Sequence, residues 1–444
     1  MTYSDVTFAR PVSRDTPNAA LTGSNIDSPP LAAMFSFCAL FYLSIYTVEA
    51  PVRYMLYLGG FDSFILIRDS LMILPLGALF AWQARSLKLH VAYVAAILVI
   101  GFHGLILVGT TGSLLGVVYG AKILMNLLFG FFAASLLIAP TRRGLLVLAI
   151  LWLIILVGVT LDKFFVSFPW TGIKTVIGDL NVDVSKDWQI QDGFAKRVAG
   201  FTRSSIAVAA ILPCLTIVLM GRLRRYPQLR AVIALLGIGG VFLTTQKGSL
   251  IAMIPVMAIL CGEETKRQAR MRFCALIFLL IAVGLPLLAV GLHMEHGAGV
   301  FSTESLYLRV ADTWPDAWRW IGRHQMLVFG VGVGGIGGPQ RLYAPDNFNP
   351  ADNLFVLLYA YFGVFAILYG MIVAVLMNRP VTGSQERVES ALAVIAFAIG
   401  YGAVLSIIED QSASLFLGAA IGVLWRETAT NGQPALRYRA ARRW

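Results

Sequence analysis

Charge is scarce in this sequence. Of its 444 residues only 13% are Asp, Glu, Lys or Arg, while 58% are hydrophobic. An ordinary soluble domain carries about twice that charged fraction, so a solvated globule is excluded. Cysteine is sparse too. Cys38, Cys214, Cys261 and Cys274 lie in or at the ends of apolar segments, and none falls in a long hydrophilic loop. That pattern speaks against a disulfide framework or a zinc cluster and for apolar packing. The first thirty residues lack the short apolar core of a cleavable signal peptide. They are polar and mixed in charge, and read as a disordered cytoplasmic tail. No internal repeat or low-complexity tract stands out.

Apolar runs long enough to cross a bilayer are abundant instead. The chain reads as an all-α polytopic membrane protein of about twelve transmembrane helices. The spans fall near 31–48, 63–82, 91–109, 114–139, 144–161, 204–221, 231–245, 248–262, 273–292, 353–377, 390–408 and 412–426. This divides the chain into a cytoplasmic tail (1–30), a transmembrane domain (31–426) and a basic cytoplasmic tail (427–444). Two long loops, about 162–203 and 293–352, then lie on the outer side. The second holds "TESLYLRVADTWPDAWRWIGRH", one or two short helices ended by the glycine-rich turn "FGVGVGGIGG".

The net charge of +11 would suggest a nucleic acid partner if it were not so placed. Arg85/Lys88, Arg142/Arg143, "RLRRYPQLR", "KRQARMR", Arg379/Arg387 and the tail "RYRAARRW" all flank apolar segments, and alternate loops lack such clusters. This is the positive-inside pattern of a membrane protein. The partner it implies is membrane lipid, with no nucleic acid.

One stretch breaks the pattern. "VFLTTQKGSLIA" puts Lys247 in the middle of the uncharged run 231–261. A charge at bilayer depth costs on the order of 2.5–3.5 kcal/mol on insertion scales and needs compensation. Both flanks of the run are basic, so it crosses an even number of times. Arms of about fifteen residues reach only ~22 Å, short of a ~30 Å hydrocarbon core. The hairpin tip "TTQKG" is therefore expected to end below the outer surface and line a cavity open to it. Arg68, Lys122, Arg203 and Lys247 all sit at or inside the outer ends of inward-running spans. A helix N-terminus already favours an anion, so cations added there suit a strongly negative occupant such as phosphate or diphosphate. Duller uses compete. Arg68, which precedes Asp69, can form a local or interhelical ion pair, Lys122 can pair with an intramembrane carboxylate or snorkel, Arg197 and Arg203 can anchor at the interface, and Arg309 can be solvated.

Four segments bear a resemblance. "RVAGFTRSS" resembles the arginine–glycine segment before a central helix in the O-antigen ligase and polymerase superfamily, and "FLTTQKGSL" resembles its Leu-Thr-x-Ser-Arg-Gly hairpin. "LRVADTWPDAWRWIGRHQMLVFGVGVGG" is similar to its arginine, tryptophan and Gly-x-Gly loop, and "DNLFVLLYAYFGVFAILYG" to its His-Asn helix opening. The four stand in the family's order between Arg197 and Gly370. The resemblance implies a membrane glycosyltransferase acting on the periplasmic face, with polyprenyl-diphosphate-linked oligosaccharides as donors and no metal or other cofactor. It is nearest to exopolysaccharide polymerases of the xanthan type (Wzy-like). Chain-length-regulating and export proteins are its expected partners. Lys247 stands where the family usually has arginine, which keeps a cation. Asp352 stands where it often has histidine, which leaves the base open.

On this reading Arg197, Arg203, Lys247 and Arg309, with Arg68 and Lys122, bind diphosphate. Asp352 takes the proton of the attacking hydroxyl, or else caps the next helix. Glu304 and His324 are substitute bases, and Asn353 and Trp314 line the substrate. Trp170, Trp188, Trp314, Trp318 and Trp320 stack on sugars or anchor at the interface. The glycines 330–338 make a tight turn near the substrate. Two competitors are an O-antigen ligase, which passes glycan to a lipid A core, and a lipid-linked oligosaccharide flippase or secondary transporter.

Overall fold

A computed structural model describes residues 28–85, 89–177, 180–185, 197–289, 303–324, 327–380 and 384–429. The readings made for residues 1–27 and 430–444, Lys88 and Trp188 lie outside the described residues.

The chain is helical nearly throughout. Helices α1 (Pro29–Thr47), α2 (Glu49–Leu58), α3 (Ile67–Arg85, after a 3-10 turn Asp62–Leu66), α4 (Val91–Thr111) and α5 (Leu114–Phe132) come first. The short α6 (Ala134–Leu137) and α7 (Arg142–Phe164) follow, then a two-stranded antiparallel hairpin, β1 (Lys174–Ile177) with β2 (Leu180–Asp183). Next come α8 (Ser205–Arg222), α9 (Pro227–Leu243), α10 (Lys247–Cys261) and α11 (Arg267–Leu288). The loop helices α12 (Glu304–Leu308) and α13 (Trp314–Arg323) are joined by one π-helical turn, Arg309–Thr313. The chain closes with α14 (Leu354–Phe362), α15 (Phe365–Asn378), α16 (Gln385–Gly402) and α17 (Gln411–Ala429).

Seven of these helical segments are long and apolar enough to cross a membrane: α1, α3 with its 3-10 turn, α4, α5, α7, α8 and α11. The apolar α9, α10 and α15 are shorter. This suits a multi-pass membrane protein. Two expected spans are broken. The fourth stops at Ala133, and the tenth breaks at Gly363, whose φ of +56° no side chain would adopt comfortably. Residues 49–58, expected as a connection, form helix α2 instead. Residues 427–429, assigned to a tail, continue α17.

The core runs through α8, α16 and α17. Helix α8 is buried from Ala207 through Met220 and α16 from Val388 through Ala398, apolar nearly all round as enclosed helices are, with Thr216, Glu389 and Ser390 the polar members. Helix α17 crosses α5 on a small-residue seam. A Cβ on Gly418 would overlap the Leu127 carbonyl, and one on Gly422 the Phe131 carbonyl. The spacing Gly418-x-x-x-Gly422 is what lets two backbones approach so closely.

The glycine-rich stretch makes the expected tight turn, Gly335 N donating to Gly332 O at 2.8 Å, and is buried in the bundle. Residues 330–337 are all buried, with positive φ at Gly330, Gly332, Gly334 and Gly337. Non-helical backbone needs internal partners where water is excluded, and here it has them. Val331 N donates to Ala360 O, Val333 N to His103 O, and Gly338 N to a Glu409 carboxylate oxygen at 2.7 Å. Trp320 Nε1 donates to Gly335 O.

The polar residues gather at the two ends of the bundle. At one end Arg222 pairs with Glu386, Arg224 with Glu264, and the buried Arg267 with buried Glu389 at 2.8 Å. Arg230 reaches the last carbonyls of α10 at Leu260. The basic clusters read as topology signals thus also tie helix ends together. The opposite end carries the candidate site.

Candidate functional site

The site is organised by the stretch Arg197–Arg203, just before α8. Asp162, near the end of α7, accepts from Ala199 N at 3.0 Å and Gly200 N at 2.9 Å. Gly200 has φ +60° and its Cα lies against Gly158, so a side chain there would meet the α7 backbone. Trp170 Nε1 donates to Gly200 O, its ring stacked on Phe168 at 4.5 Å. Phe201 O accepts from Ala50 N of α2. A cation at each end of this clamped stretch enters a different cluster.

The first cluster holds Arg197, Lys247, Arg309 and Asp352. Arg309, on the π-helical turn, pairs with Asp352 at 3.1 Å and donates to Ser305 O at 2.8 Å. Burial, with the Arg309 charge adding to it, pushes the Arg197 guanidinium below the usual arginine range. Lys247 lies within electrostatic reach of Arg197 and is exposed at the first turn of α10. The hairpin tip is docked by Gln246 Nε2 donating to Ser205 Oγ at 2.9 Å, with Thr245 at φ +59° closing the turn. Gly248 sits against Val404 and Tyr401 at the end of α16, where a Cβ would overlap Val404. Fully buried Tyr401 feels the charges of Arg309, Asp352 and Arg197. Four buried atoms here have no hydrogen-bond partner among the described residues: Arg197 Nε, Arg309 Nε, Thr245 Oγ1 and Tyr401 Oη. Each can donate a hydrogen bond. A buried, unspent donor costs about 1–3 kcal/mol, and an anion accepting from several of them would recover it.

Asp352 does not cap α14, which corrects that reading. Asn353 is the cap, its Oδ1 accepting from Val356 N at 3.0 Å. Asp352 and buried Ala351 both have positive φ, at 45° and 59°, and this unusual backbone turns Asp352 toward Arg309. Burial pushes the Asp352 carboxyl above the usual carboxylate range, with the Arg309 charge opposing.

The second cluster surrounds Glu49 of α2, which sequence reading missed. Glu49 receives Arg53 and Arg68 at 2.7 Å each. Arg68 also lies 3.7 Å from Asp69, and Asp69 meets Lys122 of α5 at 2.5 Å. The carboxylate pairing considered for Arg68 and Lys122 is therefore present. Burial raises the Glu49 carboxyl, but Arg68 and Arg53 outweigh it and hold it at about 2. Arg203 completes the group, its Nε donating to Asp183 O at 3.2 Å. Burial and the Arg53 charge lower the Arg203 guanidinium to about 10. Tyr42, over which Arg68 sits at 5.6 Å, and Tyr46, bound to Asp410 at 2.5 Å, line the wall behind it.

Other expected site residues do not converge. Asn353 is fully buried, and its Nδ2 donates to Ala282 O and Ala403 O. Its side chain is spent on three helices rather than on a substrate. Trp314 is also fully buried, so neither ring face is open to a sugar. Trp318 and Trp320 donate to the main-chain carbonyls of Pro286 and Gly335. His324 turns back on its own helix, 2.9 Å from Trp320 O. It stands fifteen residues along from Arg309, on the order of 20 Å of helical axis. Glu304 begins the same helical run, half-buried, one residue before Ser305. Three cysteines are buried as expected, and Cys261 is exposed at the end of α10.

Among the described residues no group of three or more His, Cys, Asp or Glu side chains is placed to hold a metal ion. Comparison with protein-family models and with curated proteins finds no match.

Proposed function

We propose that this protein is a Wzy-type polysaccharide polymerase, joining polyprenyl-diphosphate-linked repeat units on the periplasmic face of a bacterial inner membrane. One observation carries the reading. Arg309 pairs with Asp352, Arg197 lies within electrostatic reach of Arg309 and Lys247 within reach of Arg197, and four buried donors beside them have no hydrogen-bond partner among the described residues. A diphosphate supplies the charge and the acceptors that such a group lacks.

The proposed topology has twelve spans with both termini cytoplasmic. The end of the bundle that holds Lys247 then faces the periplasm, and the α9–α10 hairpin dips into the membrane from the opposite side. In the reaction, a sugar hydroxyl oxygen of one repeat unit attacks the anomeric carbon of the growing chain. The bond from that carbon to the diphosphate oxygen breaks, and its electron pair departs with polyprenyl diphosphate. The hydroxyl proton passes to the Asp352 carboxylate. Arg197, Lys247 and Arg309 offset the charge that builds on the leaving oxygen. The bound lipids supply proximity.

The test is reconstitution. Purified full-length protein in lipid vesicles, given lipid-linked repeat units, should build a polymer ladder and release polyprenyl diphosphate at the same rate with or without EDTA. Movement of intact repeat units across the bilayer with no ladder would contradict the proposal.

A further inference from the structure

The end of the bundle opposite the candidate site holds a cavity that the polymerase reading leaves unused. It measures about 390 Å³ and lies between α1 and α7. Arg222, which donates to Pro140 O just before α7 and pairs with Glu386, fixes its place at that end. Ala33, Ser36 and Leu40 line it from one face of α1, three and four residues apart. Gly144 and Val147 line it from α7, and Leu136 from α6. The small residues at 33, 36 and 144 leave the space. Phe37 also borders the cavity, 64% exposed and stacked on Phe41 at 5.6 Å. On a helix long and apolar enough to cross a membrane, such exposed rings face acyl chains.

Arg143 lines the same cavity, and Arg142 precedes it at the start of α7. Both are exposed, and neither side chain has an ion pair or a hydrogen bond among the described residues. Their neighbours at this end differ, since Arg222, Arg224 and Arg267 each meet a carboxylate. As topology signals the two arginines need only their charge. They do not need an apolar cavity beside them. A bilayer lipid with an acidic headgroup matches both parts, its phosphate on the arginines and an acyl chain along α1. We infer that the α1–α7 cavity binds one anionic phospholipid. A zwitterionic headgroup would bring a cation of its own to two that are already unneutralised. The wall from Ala33 to Leu40 covers ~10 Å of helix axis, so the cavity takes the part of the acyl chain nearest the headgroup. Such a lipid is held whatever reaction the opposite end performs.

Native mass spectrometry of the full-length protein tests this by titration with phosphatidylglycerol, or with phosphatidylcholine of the same acyl chains. Wild type should hold one tight copy of phosphatidylglycerol. Arg143→Gln should weaken that copy at least tenfold, and Arg143→Lys should keep most of it. Ser36→Leu, which fills the cavity and leaves both arginines in place, should weaken it as much. Monodisperse size exclusion verifies the fold of each variant. Phosphatidylcholine should not replace the copy, and inorganic phosphate at equal concentration should not displace it. Lys247→Ala, at the opposite end, should leave it untouched. Loss in Arg143→Gln with full binding in Ser36→Leu would reduce the effect to headgroup attraction at the surface and overturn the site. Equal binding of phosphatidylcholine would overturn it too, the cavity then taking any lipid tail. A dimer that Ser36→Leu separates would assign the cavity to a second copy of the chain and contradict the inference. So would the absence of any tight copy in wild type, or its loss in Lys247→Ala alone.

Discussion

Asp352 is the residue at which chemistry and structure can be separated most cleanly. Because Asn353 caps α14, Asp352→Asn disturbs no helix start. The substitution keeps the shape and removes the base. The initial rate at saturating substrate should fall by about 10²–10⁴-fold, with substrate affinity little changed. Burial raises the Asp352 carboxyl despite Arg309, so the proton it must shed is held to a higher pH than the ordinary value of about 3.9. Wild-type rate should therefore fall as pH drops through that raised value, and the residual rate of Asp352→Asn should not. A near-native rate for the variant would remove Asp352 from catalysis and turn attention to Glu304, which begins the helical run carrying Arg309. Sequence alone left Asp352 divided between cap and base. The cap reading fell because Asn353 takes that place, and the positive φ at 351 and 352 that turns Asp352 toward Arg309 is a property for which Ala and Asp give no signal as glycine would.

Among the elements, the α9–α10 hairpin was the most legible. Basic flanks and the total run length set its two arms, and the observed helices, Pro227–Leu243 and Lys247–Cys261, begin and end within four residues of the expected bounds. Arms of 17 and 15 residues reach ~25 and ~22 Å. Its docking through Gln246 onto Ser205 was not legible, since a contact across 41 residues leaves no local pattern. Helix α2 was missed for a related reason. "EAPVRYMLYL" is short and carries an internal proline, and its amphipathic face has meaning only once Glu49 meets Arg68. The hairpin's orientation has a direct check. With the four native cysteines replaced, Lys247→Cys should react with a membrane-impermeant maleimide added from outside. Gln228→Cys and Gln268→Cys should stay unlabelled. Labelling of Lys247→Cys only from the cytoplasmic side would overturn the proposed topology.

At the scale of the whole molecule, composition was enough to read a helical, multi-pass chain, because scarce charge and long apolar runs permit little else. Composition also collected the unusual cations, yet it could not sort them. Arg68 and Lys122 belong with Glu49 and Asp69 through ion pairs, and Lys247 with Arg197 and Arg309 through electrostatic reach, between elements far apart in sequence. Nor could it show that the glycine stretch fills the bundle, since the same spacing serves a surface loop equally well.

The account stands on a diphosphate held by cations at the hairpin tip. Its most direct test is the polymerisation rate of Lys247→Ala beside Lys247→Arg, at matched amounts of folded protein in vesicles. Removing one charge-stabilising group should lower the rate by about 10²–10³-fold in the alanine variant, while arginine should keep most of it. Equal rates for wild type and Lys247→Ala would contradict the account.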